Sequence, residues 1–177
     1  MIVLCGCTEK EESIITALSR YTNVVCFSSE ELTYLTAEHK TCVWVGKYRH
    51  IPKLKNGMKG ILLLGSRIQP QEKNKIPSGF ITVFDANNRN AAELLMGTGG
   101  IAVSCGSSAR ESVSLASRDT ESCVVSLQRS IRNLMDLVVE PRDIPMRLCG
   151  ERSLFEILSF CALMLLSGLE YGEEMVF

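Results

Sequence analysis

The sequence predicts an α/β domain, a mainly parallel sheet flanked by helices in a three-layer, P-loop- or Rossmann-like arrangement, with an antiparallel β section in the second half. Three observations predict it. Residues 80–106 read as strand, helix, strand: Phe80 to Phe84 is β-branched and aromatic, Asp85 and Asn87 are capping types, and Ala91, Leu94 and Leu95 recur at helical spacing before the apolar run Ile101 to Cys105. Gly97 and the Gly99-Gly100 pair stop that helix, and a right-handed crossover of this kind belongs to a larger parallel sheet. Beyond Gly106 the pattern changes, with Val125, Leu127 and Ile131 alternating with Ser126, Gln128 and Ser130, as in a strand with one wet face.

Taken in order, Met1 to Cys5 is a strand, and after Gly6 the pattern from Glu9 to Arg20 is helical. Val24 to Phe27 is the next strand; Ser28 or Ser29 then caps a short helix through Glu30, Leu32 and Leu35 to about His39. Thr41 to Val45 is a third strand. The basic stretch 46–56, with Lys47, Arg49, Lys53 and Lys55, reads as a solvated loop or surface element. Lys59 to Leu64 is the most continuous β run of the first half, and 65–78, with Pro70 and Pro77, is a long loop. After the strand–helix–strand unit, Val113 to Ala116 and Ser122 to Ile131 read as antiparallel strands, continued by Leu137 to Glu140 and by Ile144 to Leu148. Leu154 to Leu169 is an apolar helix closing at Gly168, and 170–177 is an acidic tail, expected to fray unless it docks onto a partner.

A chain of 177 residues suits one domain with a real core, here divided into 1–78, 79–169 and the tail 170–177. With 46% hydrophobic and 22% charged residues and a net charge of −1, it has no electrostatic case for binding nucleic acid. The eight cysteines include no C-x-x-C pair, and His39 and His50 lie far from the close pair Cys5 and Cys7, so no metal site is expected. Several cysteines fall inside apolar runs, the pattern of buried reduced thiols. Charge follows the first apolar run at once, unlike a signal peptide, and the expected location is cytoplasmic. Leu154 to Leu169 carries Glu156, Ser159 and Ser167 and is shorter than the roughly 20 residues of a membrane span, so it is expected to be a buried or interface helix with no membrane contact.

The order of motifs carries a resemblance. Asp85-Ala86-Asn87-Asn88 ends a strand and precedes a helix to Met96; Val103-Ser104-Cys105-Gly106 is a strand ending in glycine; Gly150-Glu151-Arg152-Ser153 opens an apolar helix that ends Leu166-Ser167-Gly168. This succession, over much of 59–169, resembles the central ATP-binding domain of the Mur ligases, the peptidoglycan amino-acid-adding enzymes, with its N-x-D-D strand end, its glycine-ended strand and its G-R-H-N turn. The resemblance implies that residues 6–12, Gly6-Cys7-Thr8-Glu9-Lys10-Glu11-Glu12, stand where the family has a G-T-x-G-K-[ST] phosphate loop.

Gly6, Thr8 and Lys10 would then be the residual phosphate-loop residues, Asn87 and Asn88 would replace the acidic pair, and Ser153 would fall on the adenine-contacting asparagine. Glu9 stands for the glycine that lets backbone approach phosphate and Glu11 for the hydroxyl residue that meets magnesium. Ser66-Arg67-Ile68-Gln69-Pro70 replaces the D-H-L-D-like segment, and the strand-borne glutamate has no counterpart in 41–46. The implied function is a non-catalytic domain that has lost ATP-dependent ligation and works as a binding or regulatory module. Its expected partner is another protein or a second copy, and no cofactor is expected. The alternative is a small nucleotide-binding enzyme or ligase subunit of bacterial cell-wall (peptidoglycan) metabolism, in which ATP and magnesium still meet Lys10. Two lesser features complete the reading. Cys105 before Gly106 is read as a core cysteine rather than a nucleophile. Arg110, Arg118, Arg129, Arg132, Arg142, Arg147 and Arg152 are read as separate solvated charges balancing neighbouring acids rather than an anion site.

Overall fold

The computed structural model describes residues 1–35, 39–53, 57–70 and 76–177. Within these, β1 (Ile2–Cys5) leads into α1 (Glu9–Leu18), β2 (Asn23–Phe27), β3 (Leu32–Leu35), β4 (Cys42–Tyr48) and β5 (Gly60–Leu64). The second half runs β6 (Phe80–Asp85), α2 (Arg89–Leu95), β7 (Ala102–Gly106), β8 (Val113–Arg118), β9 (Ser122–Leu127), β10 (Ile131–Arg132), β11 (Val138–Val139), β12 (Arg142–Arg147), α3 (Leu154–Ser167) and β13 (Met175–Val176). The fold is α/β. Eleven strands form one sheet in the order β13-β12-β9-β8-β7-β6-β5-β1-β4-β2-β3, and β10 and β11 make a small separate antiparallel sheet.

From β2 across to β8 every neighbouring pair is parallel, and the antiparallel pairs lie towards the two ends: β2 with β3, β8 with β9, β9 with β12. The chain leaves β1 for β2 on one side and returns through β4 to β5 on the other, so β1 lies at the reversal of strand order. In open α/β sheets ligands bind outside the carboxyl ends of strands at such a reversal. That rule directs attention to the loops after β1, β5 and β6.

Side chains of β1 alternate between two cores, as the strand period of two requires. Ile2 and Leu4 join Ile14 and Leu18 of α1 and the buried run Phe155 to Leu166 of α3. Val3 and Cys5 join Leu62, Leu64, Ile68 and Ala91 of α2. Both long helices start with a reciprocal capping box, Thr8 with Glu11 and Ser153 with Glu156, which satisfies amide groups that the first turn otherwise leaves orphaned. Helix α3 ends at Gly168 with φ of 66°. At 14 residues, neither it nor any other helix among the described residues is long and apolar enough to cross a membrane.

Four expectations are corrected. Residues 30–39 were expected to be helical, but Leu32–Leu35 is a strand paired antiparallel with β2; residues 36–38 of that expectation lie outside the described residues. The physical reason is that the Ser28 hydroxyl, which accepts from the Glu30 and Glu31 amides, closes a turn in which the Ser28 amide bonds to the Glu31 carbonyl at 2.8 Å. A serine that caps helices also closes hairpin turns. The basic stretch begins as strand rather than loop, since Gly46 to Tyr48 continue β4 beside β1; its residues 54–56 lie outside the described residues, as do 71–75 of the long loop. The run 122–131 is not one strand: it breaks after Leu127, and Ile131–Arg132 pairs with Val138–Val139 in the separate sheet. Finally, 170–177 is no frayed tail and docks onto its own chain. Met175–Val176 pairs with β12, and Phe177 is fully buried, stacked 4.6 Å from the Phe160 ring.

Candidate functional site

The loop after β1 is where a phosphate would sit in the resemblance, and the chain fills it from within. Glu11, only 5% exposed, directs its carboxylate back over the start of α1, accepting the Thr8 amide at 2.5 Å and the Ser66 amide at 2.9 Å. Thr8 is the helix N-cap, its hydroxyl accepting the Glu11 amide. Two backbone donors from two loops therefore converge on an internal carboxylate, the kind of anion that a helix N-terminus stabilises.

Backbone from the loop after β5 covers the same place. Gly6 adopts φ of 63° and lies so close beneath Ile68 that an added Cβ would meet the Ile68 nitrogen at 2.5 Å. Gly65 likewise leaves room only for hydrogen, with Cys7 Cα 2.5 Å from where its Cβ would be. The Arg67 amide donates to the Gly6 carbonyl and the Gly65 amide to the Cys5 carbonyl, both at 2.8 Å. Gly6 is thus explained by backbone-to-backbone packing. Lys10 points into solvent and makes no hydrogen bond or ion pair among the described residues, while Glu12 pairs with Lys47 at 3.3 Å.

The end of β6 forms the other wall. Asn88 caps α2 by accepting the Ala91 amide, and its side-chain amide donates to the Gly65 carbonyl at 3.2 Å. Asn90 does the same to the Ile68 carbonyl at 3.1 Å, so two asparagines clamp the loop that covers Gly6. Asn87 is exposed, in a turn in which its amide bonds to the Asp85 carboxylate at 2.9 Å. Ser66, Asp85, Asn87, Asn88, Arg89 and Asn90 line an open depression of about 410 Å³ at the carboxyl ends of β5 and β6. Gly6, Thr8, Asn87 and Asn88 are therefore gathered around the 65–68 loop, the first two beneath it and the asparagines beside it.

Among the described residues Ser153 has no hydrogen bond to that group. It caps α3, accepting the Glu156 amide, and the neighbouring Arg152 reaches Ser13 of α1 at 3.3 Å while its guanidinium lies 4.7 Å over the Phe177 ring. Cys105 is buried in the core, and burial pushes its thiol well above its ordinary range, the opposite of an activated nucleophile. Among the described residues only Arg147 of the arginines expected to balance acids pairs with a carboxylate, Glu174; Arg118, Arg129 and Arg132 donate to backbone carbonyls instead. Carbonyls at turn and loop positions lie nearer to those guanidinium groups than acids do. Among the described residues no group of three or more His, Cys, Asp or Glu side chains is placed to hold a metal ion.

Sequence reasoning missed Glu11 as the loop's own anion, and Ser66 and Asn90 as its supports. For Glu11 a signal existed: Thr8-x-x-Glu11 is a capping box, and the box turns the glutamate inward. The Ser66 and Asn90 contacts join the loop after β5 to helices distant in sequence and carry no local signature. No protein family matches the chain, and no curated protein is similar to it.

Proposed function

We propose that the chain is a non-catalytic, Mur-ligase-like domain that works as a binding or regulatory module through contact with a protein, most simply a second copy of itself. The observation that supports loss of ATP-dependent ligation is the Glu11 carboxylate, which takes the amides of Thr8 and Ser66 that a phosphate would need. A triphosphate entering there would displace one buried anion and meet Glu9 and Glu12 in the same turn. The cover of Ile68 over Gly6 acts in the same direction. The three-layer, P-loop-like placement belongs to this proposal and is supported by helices α1 and α3 sharing one core while α2 joins the other. A protein partner is supported by the end of the sheet, where edge strand β3 and, beyond β2, strand β4 leave Leu32 72%, Tyr34 59% and Trp44 54% exposed. An edge strand can pair antiparallel with its own copy across a two-fold axis.

The second reading, a nucleotide-binding enzyme or ligase subunit of peptidoglycan metabolism using ATP and magnesium, draws support from the open depression beside Asn87 and Asn88 and from the unengaged Lys10. Calorimetric titration with ATP and ADP, with and without magnesium, separates the two. The module reading expects no binding heat up to millimolar nucleotide. Micromolar, magnesium-dependent binding that disappears in Lys10→Ala would establish the enzyme reading instead.

A further inference from the structure

At the opposite end of β6 and β7 from the Asp85 depression lies a second, more enclosed cleft of about 200 Å³. Its floor is apolar and deeply buried: Ile81 is 8% exposed, Val103 2% and Leu166 of the last turn of α3 0%. Its rim is the segment that links β9 to β10, carrying Arg129, and β10 itself, carrying Arg132. We propose that this cleft binds a small amphipathic monocarboxylate, its hydrocarbon part on Ile81, Val103 and Leu166 and its carboxylate between the guanidinium groups of Arg129 and Arg132.

The arginines are held in place without being neutralised. Arg129 donates one N–H to the Arg110 carbonyl, and Arg132 donates one to the Asp136 carbonyl at 2.8 Å. A guanidinium has five N–H donors in a planar fork, so each retains several, and neither pairs with a carboxylate among the described residues. The next two acids along the chain have partners of their own: Glu140 accepts the Ser130 hydroxyl at 2.8 Å, and the Asp136 carboxylate faces Lys59 at 3.6 Å. The remaining buried polar group of the lining, the Ser112 hydroxyl, accepts the Ser104 amide at 3.4 Å. Two cations over an apolar floor match a ligand with one anionic head and a hydrocarbon body. A bare phosphate would leave the floor unfilled. The volume holds roughly seven water-sized groups at about 30 Å³ each, which is the scale of hexanoate or benzoate.

This assignment does not depend on the function proposed above, since it involves neither the β1 loop nor the β3 edge. The test is a titration of the full chain with hexanoate, hexan-1-ol and inorganic phosphate, followed by NMR of isotope-labelled Ile, Leu and Val methyl groups. Saturable hexanoate shifts centred on Ile81, Val103 and Leu166 are expected, with hexan-1-ol at least about ten-fold weaker and phosphate without effect on those methyls. Arg129→Gln and Arg132→Gln, both at exposed positions, should each weaken hexanoate about ten-fold. Absence of methyl shifts, equal binding of the alcohol, or phosphate shifts as large as those of hexanoate would overturn the assignment, and these comparisons on the unaltered chain need no variant. Binding that is indifferent to both arginine substitutions would overturn it as well.

Discussion

Glu11 illustrates how one residue can close a site. Its carboxylate satisfies two amides, one in its own helix turn and one in a loop 55 positions away. Replacing it by alanine leaves both donors unpaired in a partly buried place and removes half of the capping box, so Glu11→Ala should lower stability by about 2 kcal/mol, read from urea unfolding at neutral pH. Glu11→Gln keeps one acceptor oxygen and should lose about half of that. The cysteines make a second residue-scale prediction. Burial raises the Cys5 thiol from its ordinary 9.0 to about 12 and pushes Cys161 up further. A thiol whose folded pKa lies above its unfolded value contributes stability that is full below pH 9 and is lost as pH rises towards the folded pKa. Urea midpoints should therefore fall as pH rises from 9 towards 11, and the fall should be shallower in Cys5→Ala. Reaction with iodoacetamide at pH 8 should reach the exposed Cys42 and Cys149 first.

At the scale of elements, the last strand shows why a polar-looking segment can be structural. Glu170 to Glu174 suggests a solvated tail, but the three apolar residues that follow are the part that packs. Phe177 stacks on Phe160 of α3 and lies under the Arg152 guanidinium, and its amide bonds to the Arg147 carbonyl at 2.9 Å. Phe177→Ala should cost about 3–5 kcal/mol, seen as a lowered urea midpoint, with the greatest loss of amide protection in β12 and the start of α3. Helix α3 itself was legible because its capping box, long and mostly apolar run and terminal Gly168 are all local. The hairpin of β2 and β3 was not, because Ser28 fits two local motifs and only pairing with β2 decides between them.

For the whole molecule, the sheet ends unequally. One end is finished by the short strand β13, anchored by buried Met175 and Phe177; the other ends at β3 with large apolar side chains in solvent. If two copies join along β3, sedimentation velocity should show a concentration-dependent dimer, and the double substitution Leu32→Lys with Tyr34→Lys should shift it to monomer by placing like charges opposite each other. A monomer at all concentrations would remove the second copy as partner and leave a different protein.

Local patterns along the chain carry the α/β class, the strand–helix–strand unit at 80–106, the helices and the buried character of most cysteines, because periodicity, caps and glycine stops act within a few residues. The sequence also held the capping box of Thr8 and Glu11. Tertiary structure alone decided that this box sits beneath the loop after β5, that Asn88 and Asn90 fasten that loop, and that Arg129 and Arg132 stand over an apolar cleft. Each of these depends on a sheet order that sets β1 between β4 and β5 and brings β6 and β7 under the end of α3. Such neighbours are chosen by burial summed over the whole core, a sum that no local stretch of sequence contains.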